Sequence, residues 1–242
     1  MADEILTERD GDVFRITLNR PEQGNGVTNG MAKELTKIIS NASENVHFIE
    51  FRGAGSDFCT GRAGMGGAHD SRPEALALRH ENEVIFDCYA AFRSSSAPII
   101  GCVQGRALGF GAALAALCDI TIAADTAKFQ LPEMGHHIMP TMAMSSLIDR
   151  VPRKALMYLT YSTKIIDAER ARSFGMVSDV VPAGILETTV TELGNTLLKS
   201  PRPAVRAVKE FTRTAIGMDI TGAVDYARNL HATINSSSSM QG

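Results

Sequence analysis

The chain of 242 residues contains no tryptophan, only 6% aromatic residues and no long apolar run. A membrane-spanning helix needs about 20 predominantly apolar residues, and the first residues lack the basic and apolar stretches of a signal peptide. The net charge of −3 gives no electrostatic reason to expect nucleic acid or an anionic membrane as a partner. We therefore expect a cytoplasmic protein.

Cysteine is also scarce, and its spacing excludes the usual cysteine-based sites. The cysteines form no CxxC pair and have no histidine at ligand spacing. They are Cys59, Cys88, Cys102 and Cys118. This pattern predicts buried free thiols in a reducing compartment and no metal site.

Several nucleotide-binding and nucleophile motifs are missing as well. The sequence contains no Walker lysine motif and no GxSxG serine elbow. The run Gly109-Phe110-Gly111 begins like a dinucleotide-binding fingerprint. However, Leu114 stands where the third glycine belongs, and no acidic residue follows at the usual distance. We therefore exclude a Rossmann site.

Hydrophobic periodicity predicts an α/β fold. Phe14, Ile16 and Leu18 alternate with polar residues, as in a half-buried strand, and Asn29 is expected to cap the helix that follows. Strands and helices alternate to about residue 125, and the remainder is mostly helical. We expect further strands at 48–51, 98–103 and 120–123, and helices at 73–92, 201–214 and 220–233.

The prolines Pro201 and Pro203 mark a boundary in this pattern. We expect a compact core over residues 1–200 and a C-terminal helical region over 201–242, which packs on its own core or on a neighbouring subunit. Before the boundary, Asp167 is expected to cap a short helix.

The segment from Gly105 to Asp119 combines clustered glycines with small apolar residues and carries no charge between Arg106 and Asp119. This pattern predicts a turn that leads into the N-terminus of a buried helix. The N–H groups at such a terminus have no partner within the helix, and the helix dipole favours negative charge beside them. The segment is therefore expected to hold an oxyanion.

Two further segments can supply chemistry to the same place. Residues 58–67 are rich in glycine, which lets backbone N–H groups approach a ligand closely, although a flexible surface loop has the same composition. Glu133 follows Pro132 in an apolar stretch, where burial would raise the pKa of its carboxyl toward that of a general base. A solvated loop glutamate is the alternative.

In their order along the chain, these segments resemble the crotonase (enoyl-CoA hydratase/isomerase) superfamily, and the likeness covers nearly the whole sequence. The matching stretches are residues 18–21, 53–55, 58–61, 97–98, 105–119, 123–129, 132–133 and 168–177. The resemblance implies a spiral of repeated ββα units that acts on a CoA thioester. It also implies homotrimers, often paired into hexamers, with coenzyme A as part of the substrate and no permanently bound cofactor.

The resemblance also assigns site residues. It implies that the backbone N–H groups of Arg62 and Phe110 form the oxyanion hole for the thioester enolate, and that Glu133 is the catalytic carboxylate. Further positions are implied to bind the substrate or CoA, the last of them at a CoA phosphate. These are Glu22, Gln23, Gly24, Gly61, Ala63, Gly64, Met65, Gly109 and Lys209.

Some positions depart from the family pattern. Hydratases of the family use two glutamates around one water, and the first of these positions is Ala113 here. Ala63 replaces the aspartate usual after the oxyanion residue, and Glu22 replaces a common lysine. In place of a glycine-rich run, Met142 and Met144 follow Glu133, as lining of the acyl pocket or as core filling.

Two histidines next to the expected base also allow two interpretations. His136 or His137 orients Glu133 or carries a second proton, or else is structural. Because adjacent residues point in different directions, at most one of the two is expected to face the site.

A single carboxylate suits a reaction in which one group removes a proton and returns it elsewhere. Movement of an enoyl-CoA double bond between positions 3 and 2 is such a reaction, so the sequence favours an isomerase over a hydratase. Two alternatives stay open, a hydratase that uses Glu133 with or without a histidine, and a non-catalytic acyl-CoA-binding protein. RNA binding has no support at a net charge of −3.

Overall fold

The computed structural model describes residues 3–63 and 74–240. Nine strands lie in these ranges: β1 (Ile5–Asp10), β2 (Val13–Leu18), β3 (Phe48–Gly53), β4 (Ile99–Val103), β5 (Arg106–Leu108), β6 (Ile120–Ala124), β7 (Lys128–Gln130), β8 (Ile166–Asp167) and β9 (Asp179–Val181). The same ranges hold nine α-helices: α1 (Asn29–Ser43), α2 (Ala75–Ser94), α3 (Phe110–Leu117), α4 (Thr141–Leu147), α5 (Arg153–Ser162), α6 (Ala168–Ser173), α7 (Leu186–Leu198), α8 (Arg202–Ala215) and α9 (Ile220–Asn235).

A six-stranded sheet forms the centre of the fold, in the order β1-β2-β3-β4-β6-β9. β1 and β2 are an antiparallel hairpin, and every later neighbour pairs in parallel. Parallel neighbours need long crossovers, which the helices supply. The α/β prediction is confirmed, and the predicted strands at 48–51, 98–103 and 120–123 correspond to β3, β4 and β6.

Both faces of this sheet are covered. In β4, Ile99 and Val103 point into the main core with α1, α2 and α3, whereas Ile100 and Cys102 point into a second cluster with α7. A strand buried on both faces needs apolar residues at nearly every position, which explains why β4 is continuously apolar rather than alternating.

A second, three-stranded sheet in the order β5-β7-β8 lies where the chain leaves the main sheet. β5 pairs in parallel with β7, through Ala107 and Phe129 at its centre, and both side chains are fully buried. The periodicity of the sequence did not predict these strands, because two or three residues are too short to show a period.

The helix termini follow the sequence in detail, with one correction. Asp167 caps α6 by accepting a hydrogen bond from the Arg170 N–H at 2.8 Å, as predicted. The cap of α1 is Thr28 and not Asn29, because the Thr28 hydroxyl accepts from the Met31 N–H at 3.1 Å. Asn29 is the first residue of the helix, and its side chain is left for another contact.

Candidate active site

Two chain segments meet at the start of α3. The N–H of Cys59 donates to the Arg106 carbonyl at 3.0 Å, and the N–H of Leu108 donates back to the Cys59 carbonyl at 2.9 Å. A Cβ added at Gly111 would lie 2.0 Å from the Cys59 carbonyl oxygen, so only glycine allows this approach. Residues 58–63, the described part of the predicted segment 58–67, are therefore in direct contact with the predicted oxyanion segment 105–119.

Arg62 lies at the end of the first segment, and its N–H points away from Val27, the residue beside which it lies. The Val27 N–H donates to the Gly61 carbonyl and the Ala63 N–H donates to the Val27 carbonyl, both at 2.9 Å. In this parallel bridge the Arg62 N–H points to the other side. Within residues 3–63 and 74–240, no backbone carbonyl accepts a bond from it.

Phe110 supplies a second N–H at the start of α3. Gly109 precedes it with φ 51° and ψ −112°, a backbone conformation that side chains disfavour. The first N–H inside the helix belongs to Ala113, which donates to the Gly109 carbonyl at 3.0 Å. The Phe110 N–H comes earlier and has no partner within α3, so it is available to an oxyanion at the positive end of the helix dipole.

Glu133 starts a short 3-10 helix (Glu133–His136) next to Gly109. A Cβ built on Gly109 would lie only 3.1 Å from Oε1 of this glutamate. Its Oε2 is buried and has no hydrogen-bond partner within the described ranges. Burial raises the pKa of the Glu133 carboxyl, although its own backbone N–H and the charge of His136 oppose the shift. A carboxylate in this environment is suited to general-base work.

No other carboxylate of the described residues contributes to this pKa shift. At position 113, where hydratases of the family have a second glutamate, Ala113 lies fully buried in α3. Among the described residues, Glu133 is the carboxylate that adjoins Gly109 and the start of α3.

The two candidate histidines lie near Glu133 but are exposed. His137 ends the 3-10 helix with φ 58°, and its N–H donates to the Met134 carbonyl at 3.2 Å. His136 acts on the Glu133 carboxyl only through its charge, and no hydrogen bond joins them among the described residues. The structure thus supplies an electrostatic neighbour and not an orienting contact.

Apart from Met142, the residues around the Arg62 side chain were not predicted to belong to the site. Tyr89 from α2 is buried and stacks on Phe110, with ring centroids 5.4 Å apart. Asn29 and Asn82 accept hydrogen bonds from the guanidinium, and its Nη1 lies 3.8 Å from Sδ of Met142. No motif marks such residues, because they converge from separate helices.

Seven of the predicted substrate- or CoA-binding residues lie in two segments, 22–24 and 61–65. Glu22 and Gln23 lie in a 3-10 turn (Pro21–Gln23), followed by Gly24 with φ 57°. The Gly24 carbonyl accepts from the Thr60 N–H at 2.9 Å, so this turn adjoins Gly61 and the oxyanion segment. Ala63 also lies there, with its Cβ 3.5 Å from the place of a Cβ on Gly26. Gly64 and Met65 lie outside the described residues.

Lys209 is a correction to the predicted site. It is only 6% exposed, and its Nζ forms an ion pair with Asp119 Oδ2 at 2.7 Å. The Nζ also donates to the carbonyls of Phe92 and Ala97, at 3.2 and 3.3 Å. Three donors are thus satisfied inside the protein, so Lys209 joins α8 to the core and does not extend to a CoA phosphate.

The four cysteines are free and buried, as predicted. Burial raises the pKa of Cys59, next to the oxyanion segment, to about 12. Since the thiolate is the nucleophilic form, Cys59 is not suited to nucleophilic catalysis at neutral pH. Over residues 3–63 and 74–240, no cluster of three metal-ligating side chains occurs. No helix in these ranges has the length and apolar character needed to cross a bilayer.

Comparison with known proteins gives a consistent result. The sequence matches the enoyl-CoA hydratase/isomerase family over residues 8–242. It is 33% identical over 230 residues to a protein of Mycobacterium tuberculosis named probable enoyl-CoA hydratase, covering 93% of this chain and 87% of the relative. It is 26% identical to the 2,3-dehydroadipyl-CoA hydratase of Escherichia coli, covering 94% and 88% of the two chains.

Solved structures agree. The enoyl-CoA hydratase of Bacillus anthracis superposes with a TM-score of 0.88 at 26% identity, over 98% of this chain and 92% of the other. A Thermobifida fusca protein assigned as an enoyl-CoA hydratase and solved with CoA has a TM-score of 0.84 at 28% identity, over 95% and 92%. The fold and the site thus define an acyl-CoA enzyme of the hydratase/isomerase type. The chain belongs to the enoyl-CoA hydratase/isomerase family.

Proposed function

We propose that this enzyme moves the double bond of an enoyl-CoA between positions 3 and 2, with Glu133 as its single acid–base group. The observation that carries the proposal is a half-buried Glu133 carboxylate, whose Oε2 has no hydrogen-bond partner among the described residues, together with Ala113 at the position of the second glutamate. Hydration requires a water that is held and activated from two sides in this family, whereas isomerisation needs one carboxylate that carries a proton.

The reaction divides into two proton transfers. The N–H groups of Arg62 and Phe110 donate to the thioester oxygen, and the Glu133 carboxylate removes a proton from the carbon next to the thioester. The resulting enolate oxygen carries the charge that the two N–H groups stabilise. The same carboxyl group then protonates the far carbon of the former double bond. Loss of one such donor costs about 10²–10³ in rate.

The first test compares two substrates and two variants. Purified protein is given 3-enoyl-CoA and 2-enoyl-CoA of equal chain length, and we expect isomerisation to be faster than hydration. Glu133→Gln should lower kcat by about 10²–10⁴, the usual contribution of a general base. Glu169→Gln, which changes an exposed carboxylate on α6, is the matched control. Full activity of the Glu133→Gln variant would overturn the single-base mechanism.

The pH profile provides a further readout of the same group. Burial raises the pKa of the Glu133 carboxyl above that of an exposed glutamate, which is about 4.3. As the pH falls, Glu133 therefore loses its active ionised form at a higher pH than an exposed glutamate would. The acid limb of kcat/KM should therefore lie above that range and disappear with Glu133→Gln.

Hydration is the second candidate, since several relatives bear the name hydratase. In that case Glu133 would activate the water together with a second group, for which His136 in the same 3-10 helix is the candidate. Dominant formation of the 3-hydroxyacyl-CoA, and its loss with His136→Ala while Glu133 is intact, would select this reaction.

We also propose that the protein assembles into trimers or pairs of trimers. Support comes from large apolar side chains that are exposed along α8 and α9 and between them. These are Val208, Ile216, Met218, Ile220 and Val224. Such a surface is typical of an interface between subunits.

A further inference from the structure

The side chain of Arg62 is not explained by the oxyanion hole, which uses only its N–H. It is half-buried and connects three helices. Its Nη2 donates to Oδ1 of Asn29 on α1 at 3.0 Å, and its Nη1 donates to Oδ1 of Asn82 on α2 at 3.5 Å. The same Nη1 lies 3.8 Å from Sδ of Met142 on α4. The guanidinium is thus held in a defined position beside the oxyanion segment.

The partners of this guanidinium orient its charge without neutralising it. Within residues 3–63 and 74–240, no carboxylate lies within 4.0 Å of it, whereas Arg93 and Arg106 each form an ion pair with an aspartate. Burial lowers the pKa of Arg62, the nearby ionisable groups of Tyr89 and Glu81 oppose this shift, and an arginine remains charged at neutral pH. Because no carboxylate of the described residues is in contact with it, the half-buried guanidinium keeps N–H donors for an anion.

The position of this charge indicates which part of a substrate it meets. The thioester oxygen is expected at the N–H groups of Arg62 and Phe110, and the next carbon at Glu133. The guanidinium extends from the same residue to Met142 of α4. Met142, 3.8 Å from Nη1 of Arg62, belongs to the segment after Glu133 that the family resemblance assigns to the acyl pocket. We therefore place the guanidinium on the side of the acyl chain.

We propose that the guanidinium of Arg62 binds a carboxylate at the far end of the acyl chain, so that the enzyme takes CoA thioesters of dicarboxylic acids. A planar guanidinium matches a carboxylate with two parallel hydrogen bonds. Asn29 and Asn82 hold the guanidinium in place beforehand, which reduces the entropy lost on binding. The inference rests on the proposed function for the placement of the thioester.

The kinetic test uses pairs of 3-enoyl-CoA substrates of equal length, one with a terminal carboxylate and one with a terminal methyl group. We expect wild-type kcat/KM to be higher for the carboxylate. The ratio of the two values should fall about 10- to 100-fold in Arg62→Met, which keeps the backbone N–H but removes the charge. Arg62→Lys should retain part of the preference. Arg172→Met, at the surface of α6, is the control, with an unchanged ratio.

A binding test separates this inference from the reaction itself. Adipyl-CoA and hexanoyl-CoA have equal length and no double bond, so calorimetry measures their affinity without turnover. Tighter binding of adipyl-CoA by wild type, lost in Arg62→Met, would support the inference even if isomerisation failed. Equal affinity for both compounds, or an equal loss of both in Arg62→Met, would overturn it. An equal loss would assign the guanidinium to the CoA part of the ligand.

Discussion

At the scale of single residues, Gly109 brings together two parts of the site, the Phe110 N–H donor and the Glu133 carboxylate. Gly109 has φ 51° and ψ −112°, and its missing Cβ leaves room for Oε1 of Glu133. The same residue therefore provides the backbone turn that frees the Phe110 N–H and the space in which the carboxylate lies. A side chain at this position should disturb both.

We predict that Gly109→Ala lowers kcat/KM about 10-fold, because the added Cβ forces a shift of a few tenths of an ångström and a misplacement of about 1 Å can cost ~10² in rate. The added Cβ would lie 3.1 Å from Oε1 and displace the carboxylate. The strained backbone should also lower the free energy of unfolding by about 1–3 kcal/mol. Steady-state kinetics and chemical denaturation measure the two effects.

Gly11 offers a matched control for this variant. It has φ 56° in the turn between β1 and β2, and a Cβ there would meet no atom within 4 Å. Gly11→Ala should therefore lower the free energy of unfolding, because of backbone strain alone, and should leave the enzymatic activity unchanged. If Gly11→Ala lost as much activity as Gly109→Ala, the effect would follow from stability and not from Glu133.

The Arg62 side chain illustrates what the sequence could and could not predict at this scale. The glycine pattern predicted its segment and the resemblance its N–H, because backbone donors depend on chain geometry and not on the side chain. The guanidinium contacts with Asn29 and Asn82 depend on how α1 and α2 pack. The spacing of residues along one helix carries no information about such contacts between helices.

At the scale of elements, long periodic segments were predictable and short ones were not. β2 and α1 have clear periods and were predicted within a few residues. β5 and β7 have three residues each, and they form because the chain must connect the main sheet to the start of α3 and to Glu133. Their pairing follows from tertiary contacts, which local patterns do not encode.

The attachment of α8 gives a prediction at this scale. Asp119 Oδ2 accepts from the Ile99 N–H at 2.8 Å and from Lys209 Nζ at 2.7 Å. Removal of one partner leaves the other charge without its partner and typically costs about 3–5 kcal/mol for a buried pair. We expect Lys209→Met to lower the free energy of unfolding by about 3 kcal/mol, measured by urea denaturation.

A double-mutant cycle distinguishes this structural role from a role in substrate binding. The double variant Lys209→Met/Asp119→Asn should lose less free energy of unfolding than the two single variants lose together. In the double variant both charges are removed, so neither is left buried without its partner. A normal free energy of unfolding together with a loss of CoA affinity in Lys209→Met would instead restore the role at a CoA phosphate.

At the scale of the whole molecule, burial is uneven. The main sheet is covered on both faces, by α1, α2 and α3 on one and by α7 on the other. No residue of α9 is buried, and Ile220 at its start is 80% exposed. A single chain therefore buries its core but leaves several large apolar side chains of α8 and α9 exposed to water, which is unfavourable.

Assembly would remove this apolar surface from water, and the proposed trimer makes this testable. We predict that sedimentation velocity shows three or six copies for the wild type. Ile220→Asp should shift the protein toward single chains, because a charge buried at an apolar interface is strongly unfavourable. Thr188→Asp, which adds the same charge at an exposed position of α7, should leave the assembly unchanged. A wild-type protein that sediments as one chain at micromolar concentration would contradict the trimer and require another partner for α8 and α9.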